Sequence, residues 1–142
     1  MNVVRADTND LQGVRKLLAT GGLPADDLTE ASLEHFLVLR SERNVSAAVG
    51  LECFGEVALL RSLVVAPELR GTGIGAKLTD AAESLARELA IKSIYLLTTT
   101  AASFFAARGY RRIDRTDAPS QIQRTTQFSA LCPSTAVLMV KP

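Results

Sequence analysis

The stretch LLRSLVVAPELRGTGIGAKLTDAAESLAREL, residues 59–89, determines how the rest of the chain is interpreted. Residues 59–65 are mostly apolar and partly β-branched, as in a buried strand. Pro67 cannot donate to a strand ladder, so pairing is expected to stop there. From Ile74 onward apolar residues recur at spacings of three and four, which predicts a helix. The stripe comprises Ile74, Leu78, Ala81, Leu85 and Leu89, whereas Lys77, Asp80, Glu83 and Arg87 fall mostly on the other side.

A glycine-rich turn, Arg70-Gly71-Thr72-Gly73-Ile74-Gly75-Ala76, joins this strand to this helix. Glycine has no Cβ, so the backbone is open to a ligand. The first-turn N–H groups of the helix have no partner within it, and the helix dipole adds about half a positive charge there. Arg70 adds a full charge. The turn therefore predicts a seat for a pyrophosphate.

Three other interpretations of the turn can be compared by spacing. An isolated glycine-rich turn is also typical of a mobile loop. A nucleotide P-loop requires G-x-x-x-x-G-K-[ST], and the sixth and eighth positions here are Ala76 and Leu78. A dinucleotide fingerprint fits Gly71, Gly73 and Ala76, but it requires an acidic residue about 20 residues further on, at the end of the next strand. That strand ends in Leu96-Leu97-Thr98, with no acid.

Length and composition indicate one soluble globular domain spanning residues 1–142. The chain is 47% hydrophobic and 22% charged, with a net charge of +1. It has no basic excess for nucleic acid, and no apolar run approaches the ~20 residues of a membrane span. No apolar signal core follows Met1, so we expect a cytoplasmic protein.

The sequence gives no support for a metal site or a disulfide framework. Cys53 and Cys132 are too few and too far apart, and buried small apolar roles are expected for both. His35 is the only histidine, which excludes a two-histidine metal site and makes a histidine-dependent triad doubtful.

The remaining elements predict an α/β (α+β) fold with one mixed, mostly antiparallel sheet of six to seven strands and helices on both faces. Strands at 36–39, 45–51 and 59–65 follow one another without helices, which implies an antiparallel meander. The helical crossover from Val65 to Ile94 implies that the strands at 59–65 and 93–97 are parallel. The other expected elements are a first strand at 3–5, a helix from Asp7 or Thr8 to Ala19, a turn or short helix at 26–29 near the active site, a helix at 101–108, strands at 110–114 and 135–140, and a helical turn near 118–122.

Two segments of the chain resemble the GNAT N-acetyltransferase superfamily. The family's acyl-CoA-binding pattern [QR]-x-x-G-x-[GA], after a strand ending V-x-P-x-x-R, is matched by Arg70, Gly73 and Gly75 after 65–69. About 30 residues on, Phe104-Phe105 with Gly109-Tyr110 resembles the family's [FY]-[FY]-x-x-x-G-[FY] segment. The resemblance implies a splayed sheet with the pantetheine arm of acetyl-CoA between its central strands.

The resemblance also implies the residues that would hold acetyl-CoA. In the family a backbone N–H of the central strand serves the thioester oxygen, which here lies near Leu63, Val64 and Val65. The turn would hold the pyrophosphate, and the aromatic segment would flank the thioester. The implied cofactor-binding set is Leu63, Val64, Val65, Arg70, Gly71, Thr72, Gly73, Ile74, Gly75, Ala76, Phe105 and Arg108.

The sequence leaves several candidates for the residues that would transfer protons in the reaction. The family's frequent general acid is a tyrosine at the position of Phe105, which cannot donate a proton. Tyr110 is an alternative donor, or a core aromatic. Glu52 and Glu56 are the carboxylates nearest the central strand, and either could act as a base or be a solvated turn residue.

Arg61 interrupts the apolar central strand, where a charge is costly unless it is paired or faces a cavity. We expect it either to bind an acidic group of the substrate or to form an ion pair with Glu52 or Glu56. Thr98, at the end of the neighbouring strand, is the second candidate for contact with the acceptor.

The amino- and carboxyl-terminal parts resemble a narrower group, the arsenic-resistance (ArsN-type) N-acetyltransferases, and overlap with glutamate-type enzymes. The resemblance implies a small amine acceptor bearing a carboxylate with a phosphinate or arsinate, and a homodimer is possible. The alternatives are a non-catalytic acyl-CoA-binding sensor or regulatory module, and a GNAT enzyme that acts on a different amine. The resembling positions are 17–18, 22–24, 27–28, 96–101, 117–119, 122, 125, 127–128, 131–136, 139 and 141.

Overall fold

A computed structural model, which describes residues 2–42, 44–131 and 135–142, shows a seven-stranded mixed sheet with helices on both faces. The strands are β1 (Val3–Arg5), β2 (Phe36–Ser41), β3 (Asn44–Phe54), β4 (Val57–Val65), β5 (Ser93–Thr98), β6 (Arg111–Ile113) and β7 (Val137–Lys141). The α-helices are α1 (Leu11–Thr20), α2 (Ile74–Glu88), α3 (Ala102–Ala107) and α4 (Ser120–Gln123). Short 3₁₀ segments occupy Thr8–Asp10, Ala31–His35, Pro67–Leu69 and Arg115–Asp117, and a π-helical turn occupies Gln127–Leu131.

The first four strands form the antiparallel meander that the sequence predicts. Each pairs with the next along the chain, β1 with β2, β2 with β3 and β3 with β4. Gly55, at φ +65°, makes the tight turn into β4, a backbone conformation in which glycine is not strained. Asp7 caps the segment before α1 in a capping box with Asp10.

The central strands β4 and β5 are parallel, as the helical crossover predicts, but they pair over a short distance only. The ladder runs from Val57–Ser93 to Leu59–Tyr95, while β4 continues to Val65 and β5 to Thr98. Beyond Leu59 the two strands separate. The far side of β5 is covered by β7, which lies between β5 and β6. The sheet therefore has a gap at its centre and continuous pairing on either side of it.

A β-bulge in β4 lies at the mouth of this gap. On β3 the partners step from Ala48 to Gly50, whereas on β4 they step from Val64 to Arg61. Two residues of β4, Ser62 and Leu63, thus lie opposite one residue of β3, and Ser62 has a φ of +60°. A bulge of this kind bends its strand and increases the local twist.

The two larger of three apolar cores among the described residues lie on opposite faces of the sheet. The helix α2 buries Leu78, Ala82 and Leu85 against β3 and β4 on one face. The helix α1 buries Val14 and Leu18 on the other, with the loop residue Leu28. The helices therefore fix the sheet from both sides, and α2 fixes the glycine turn that precedes it.

Some local predictions need correction. Glu83 was expected on the solvent side of α2, but it is 8% exposed. At 26–29, where a turn or short helix was expected, residues 26–27 form a turn. β6 is shorter than predicted, and Leu89 is partly exposed instead of completing the apolar stripe. Cys132 lies outside the described residues. No helix in the described parts of the chain is long and apolar enough to cross a membrane.

Candidate active site

The gap between β4 and β5 opens into a cleft of about 680 Å³. Its walls are residues 59–65 of β4 and residues 96–101 at the end of β5. The glycine turn contributes Arg70 and Gly75, and α3 contributes Phe104 and Phe105. A loop after α1, residues 21–24, and Gln127 close the other side.

The glycine turn at one edge of the cleft is shaped to receive an anion. Gly71 and Gly73 have φ values of +80° and +84°, which non-glycine residues rarely adopt. A Cβ at either position would meet no protein atom within 4 Å, so the space above the turn is open. Gly73 is the N-cap of α2, and no side chain caps the helix. The first-turn N–H groups of α2 are therefore available to a ligand.

Hydrogen bonds hold the turn in this conformation. Arg70 donates from Nε to the carbonyl oxygen of Val65 at 3.2 Å, and Thr72 donates from Oγ1 to the carbonyl oxygen of Leu69 at 2.5 Å. The side chain of Arg70 thus lies along the cleft at the end of β4, beside the helix N-terminus. The full positive charge of Arg70 and the partial positive charge of the helix N-terminus therefore lie close together, where both can interact with a bound diphosphate.

Aromatic side chains of α3 form the apolar wall of the cleft. The rings of Phe104 and Phe105 are edge to face at 5.0 Å, and Phe105 is buried. A Cβ at Gly75 would lie 3.8 Å from Phe104, so α2 and α3 approach closely at the turn. Arg108 stacks over Phe104 at 5.8 Å and pairs with Asp80 of α2. It braces the two helices, in a position where it can add charge near the turn.

The backbone of β4 beyond Leu59 forms the other wall. Leu63, Val64 and Val65 line the cleft, as the resemblance implied. Because β5 no longer pairs with this part of β4, peptide groups that face the gap have no strand partner on that side. Such preorganised N–H groups can stabilise a developing oxyanion without reorganisation.

Tyr110 lies outside the cleft and does not fit the role of proton donor. It is 3% exposed, and its hydroxyl donates to Oε2 of Glu83 at 3.0 Å. Lys141 donates to the other oxygen of Glu83, also at 3.0 Å. Burial, followed by the charge of Glu83, raises the pKa of Tyr110 far above its usual value. We therefore interpret Tyr110 as a core aromatic.

Replacing Tyr110 with phenylalanine should leave turnover within about tenfold of the parent, well short of the loss of a general acid. The variant leaves one oxygen of buried Glu83 without its donor, at a cost of about 1–3 kcal/mol in the free energy of unfolding. Steady-state kinetics and thermal unfolding measure the two effects. A fall in kcat of a hundredfold with an unchanged Tm would restore Tyr110 as the proton donor.

The two candidate bases are in different places. Glu52 lies on β3 and accepts a hydrogen bond from Arg61 at 2.9 Å. Its side chain is 30% exposed and lines a cavity of about 320 Å³ that adjoins the cleft at Arg61. Glu56 lies in the turn before β4, at the end where β4 and β5 are paired, and forms an exposed ion pair with Lys92. Glu52 is therefore the better placed of the two candidates for the catalytic base.

Arg61 lies at the junction of the cleft and the adjoining cavity, and its side chain is 2% exposed. Its guanidinium donates to both oxygens of Asp27, at 2.5 and 2.7 Å, and to Glu52. Its Nε donates to Oγ of Ser62 at 3.0 Å. The structure thus provides the ion pair with Glu52 that the sequence left open as an alternative, and adds Asp27.

The ion pair explains how these charges are tolerated. Burial disfavours the charged form of both Arg61 and Asp27. Their mutual hydrogen bonds and charges outweigh it, so the pKa of Asp27 lies below its usual value and that of Arg61 above it.

The acceptor side contains residues that sequence reasoning did not assign. Gly21 to Pro24 and Gln127 line the cleft, and Gln127 is one of the groups that lower the pKa of Asp27. The sequence signals on this side were the expected turn at 26–29 near the active site and the resemblance at 22–24 and 127–128, neither of which gave these residues a role. Thr98, the second candidate for contact with the acceptor, lines the cleft, and its Oγ1 accepts from the N–H of Ala101 at 2.9 Å.

Comparisons with known proteins agree with this geometry. Residues 32–112 match the model of the acetyltransferase (GNAT) domain. This chain is a member of the GNAT family. The match covers β2 to the middle of β6 and includes both the glycine turn and the aromatic wall. Asp27 and Gln127 lie outside it.

The GNAT chain is also similar to longer curated proteins. An amino-acid acetyltransferase of Pseudomonas putida (strain GB-1) is 32% identical over 100 residues, which is 69% of this chain and 22% of that protein. A second, of Aeromonas salmonicida, is 28% identical over 97 residues, 67% of this chain and 22% of that protein. The chain thus spans about a fifth of the length of these relatives.

Solved structures show the same fold. Rv2747 of Mycobacterium tuberculosis, in complex with CoA and NLQ, has a TM-score of 0.84 at 22% identity, covering 99% of this chain and 98% of that one. The N-acetylglutamate synthase of Neisseria gonorrhoeae, complexed with coenzyme A and N-acetyl-glutamate, has a TM-score of 0.84 at 19% identity, covering 99% and 34%.

Proposed function

We propose that this GNAT chain transfers the acetyl group of acetyl-CoA to the primary amine of a small amino-acid-like substrate, within a ternary complex. The observation that carries the proposal is the cleft between β4 and β5, which has an anion-receiving turn at one edge and a polar, charge-paired wall at the other. The similarity to amino-acid acetyltransferases supports the substrate class.

The residues of the cleft fit acetyl-CoA. The N–H groups at the start of α2, with Arg70, would hold the pyrophosphate. Bound acetyl-CoA supplies the thioester that the amine attacks. Backbone N–H groups of residues 63–65 would stabilise the negative charge on the thioester oxygen, and the ring of Phe105 would exclude water.

Direct attack by the amine is favoured over an acyl-enzyme. Cys53 lines the adjoining cavity, not the cleft. Burial, with the nearby charges of Glu34 and Glu52, raises the pKa of the Cys53 thiol, which lowers its thiolate fraction. Ser62 does line the cleft, but its hydroxyl accepts a hydrogen bond from Arg61, which does not activate it as a nucleophile.

Glu52 is the base that this geometry favours. An amino-acid amine is mostly protonated at neutral pH and must lose a proton before it attacks. Glu52 lines the adjoining cavity, and one of its oxygens bonds to Arg61 where that cavity meets the cleft, so its other oxygen would accept the proton through a water molecule.

Replacing Glu52 with glutamine should lower kcat at neutral pH about ten- to a hundredfold, because the amide still accepts a bond from Arg61 but cannot take a proton. Glu56→Gln is the matched control, since Glu56 is exposed at the other end of β4. Steady-state kinetics with saturating acetyl-CoA measures both. Equal activity of the Glu52 variant and the parent would exclude Glu52 as the base.

The acceptor is proposed to be acidic, of the glutamate, phosphinothricin or arsinothricin type. Arg61 and Arg70 are the cations among the described residues that line the cleft, and Arg70 lies at the turn. A guanidinium has five N–H groups. Four of the N–H groups of Arg61 donate to acceptors among the described residues. The fifth, on Nη2, is proposed to donate to an acidic group of the substrate.

A panel of amines tests the proposal. The parent chain is incubated with acetyl-CoA and each of glutamate, glutamine, phosphinothricin, arsinothricin and a neutral amino acid, and thiol release is followed. We expect at least tenfold higher kcat/KM for the acidic amines than for the neutral one. Equal rates would overturn the acidic specificity, and absence of thiol release with every amine would overturn the transferase proposal.

A second candidate is a non-catalytic acyl-CoA sensor, favoured by Phe105 at the position where the family often has a tyrosine. It predicts acetyl-CoA binding by calorimetry without turnover of any amine. The amine panel therefore separates the two candidates.

A further inference from the structure

We infer that Arg61, besides the substrate contact proposed above, positions the acceptor wall by joining the loop after α1 to the bulge of β4. Its effect on acceptor binding rests on the proposed function; its effect on the loop does not. The inference assigns roles to Asp27 and Ser62, which lie on the two sides of Arg61.

Arg61 is bound on three sides by groups from different parts of the chain. Asp27, which is 34 residues earlier in the chain, accepts hydrogen bonds from Nη1 and Nη2 of the guanidinium. Glu52 of β3 accepts a second bond from Nη1, and Oγ of Ser62 accepts one from Nε. The two-point contact with Asp27 fixes the plane of the guanidinium as well as its position. A surface ion pair would be weak and adjustable, but this side chain is 2% exposed, so a lost partner would leave a buried charge uncompensated.

On one side, Asp27 controls the loop that closes the cleft. Residues 21–24 line the cleft directly, and Asp27 follows three residues later. The loop is also anchored at Leu28, which is fully buried and whose carbonyl oxygen accepts from Arg15. The ion pair of Asp27 with Arg61 ties the part of the loop between α1 and Leu28 to the central strand.

On the other side, Arg61 supports the bulge. Ser62 has a φ of +60°, a conformation that costs a non-glycine residue free energy unless the surroundings stabilise it. The bond from Nε of Arg61 to Oγ of Ser62 is one such stabilising contact. The next residues, 63–65, carry the N–H groups assigned to the thioester oxygen. One side chain thus sets the loop and the strand on either side of the acceptor.

Disrupting the Asp27–Arg61 pair should therefore loosen the acceptor side and leave the glycine turn unchanged, because Arg61 is held by Asp27, Glu52 and Ser62, which belong to the loop after α1, β3 and β4. The variant Asp27→Asn is nearly isosteric and keeps one acceptor oxygen. Asp26→Asn is the matched control, since Asp26 is adjacent and exposed.

Two measurements test the inference. Hydrogen–deuterium exchange should show faster exchange of residues 21–29 in Asp27→Asn than in the parent or in Asp26→Asn, with residues 74–88 unchanged. Kinetics with the best amine of the panel should show an acceptor KM raised about ten- to a hundredfold, the scale of one charged hydrogen-bonded pair, with the acetyl-CoA KM within twofold. Arg61→Lys, which keeps the charge but loses the fork, should give the same pattern.

The exchange measurement does not depend on catalysis, so it tests the loop even if no amine is turned over. Unchanged exchange of residues 21–29 in Asp27→Asn would overturn the inference. It would also be overturned by a lower KM for acidic acceptors in that variant, which would show that Asp27 competes with the substrate for Arg61. A parallel rise in both KM values would indicate general loosening and would count against it too.

Discussion

Replacing Gly73 with aspartate is expected to lower the affinity for acetyl-CoA more than a hundredfold while the chain stays folded. A carboxylate at the N-cap of α2 can accept hydrogen bonds from the same first-turn N–H groups that would hold the pyrophosphate. It also places a negative charge where two phosphates must sit. Both effects act against the ligand. The φ of +84° costs any side chain free energy, so we expect a modest fall in stability beside the much larger loss of affinity.

The matched comparison is Gly73→Asn, because asparagine has nearly the same shape and also tolerates the φ of +84° at this position. It should weaken binding less than aspartate, since it lacks the charge. Gly55→Asp, in a turn with a φ of +65° at the other end of β4, controls for backbone strain. Calorimetric titration with acetyl-CoA gives the affinities. Parent-like affinity in a folded Gly73→Asp chain would place the cosubstrate elsewhere.

The second large effect concerns stability. Replacing Gly50 with alanine is expected to lower the free energy of unfolding by about 3 kcal/mol or more, because the added Cβ would lie 2.3 Å from the ring of Phe36. Phe36 is fully buried and pairs across the strands with Gly50, so any shift of the ring would disturb the packing around it. For a domain of this size the expected fall in Tm is about 10 °C.

The double variant Gly50→Ala/Phe36→Leu tests the cause. A smaller side chain at position 36 makes room for the new methyl group, so the double variant should be less destabilised than the sum of the two single variants. Thermal and denaturant unfolding of the four chains completes the cycle. Strict additivity would show that the clash with Phe36 is not what destabilises the alanine variant.

Much of the fold follows from local sequence, and the reasons are physical. Pro67 ends β4, the glycines permit the turn, and the spacing of apolar residues sets the start of α2 at Ile74, as predicted. A helical crossover between strands is parallel and right-handed for steric reasons, so the pairing of β4 with β5 could be predicted before the register was known.

The polar clusters could not be predicted in the same way, because their members are far apart in the chain. Glu83 is bonded to Tyr110 and to Lys141, which are 27 and 58 residues away. Periodicity alone places Glu83 on the polar side of α2. Its burial depends on which strands arrive beside the helix, and only the assembled sheet determines that.

The bulge of β4 is a second case. Ser62 adopts a left-handed conformation in the middle of a strand, where glycine would have been the local signal. The sequence has no glycine there, and the conformation is stabilised by neighbours instead. The sequence did single out Arg61 as a charge that needed a partner, and it named Glu52 among the possible partners. Asp27 was missed because nothing local links it to β4.

The position of β7 in the sheet has a consequence for synthesis of the protein. β5 forms the second wall of the cleft and pairs with β4 over three residues only, while its other edge is covered by residues 137–141. Until those residues have left the ribosome, the nascent chain has an uncovered strand edge at its centre, and β6 has no neighbour in the sheet. Exposed edges of this kind favour association with other chains. We therefore expect ribosome-bound chains stalled before residue 137 to be sensitive to proteolysis and to depend on chaperones. Binding of acetyl-CoA should begin only once residues 137–141 have left the ribosome.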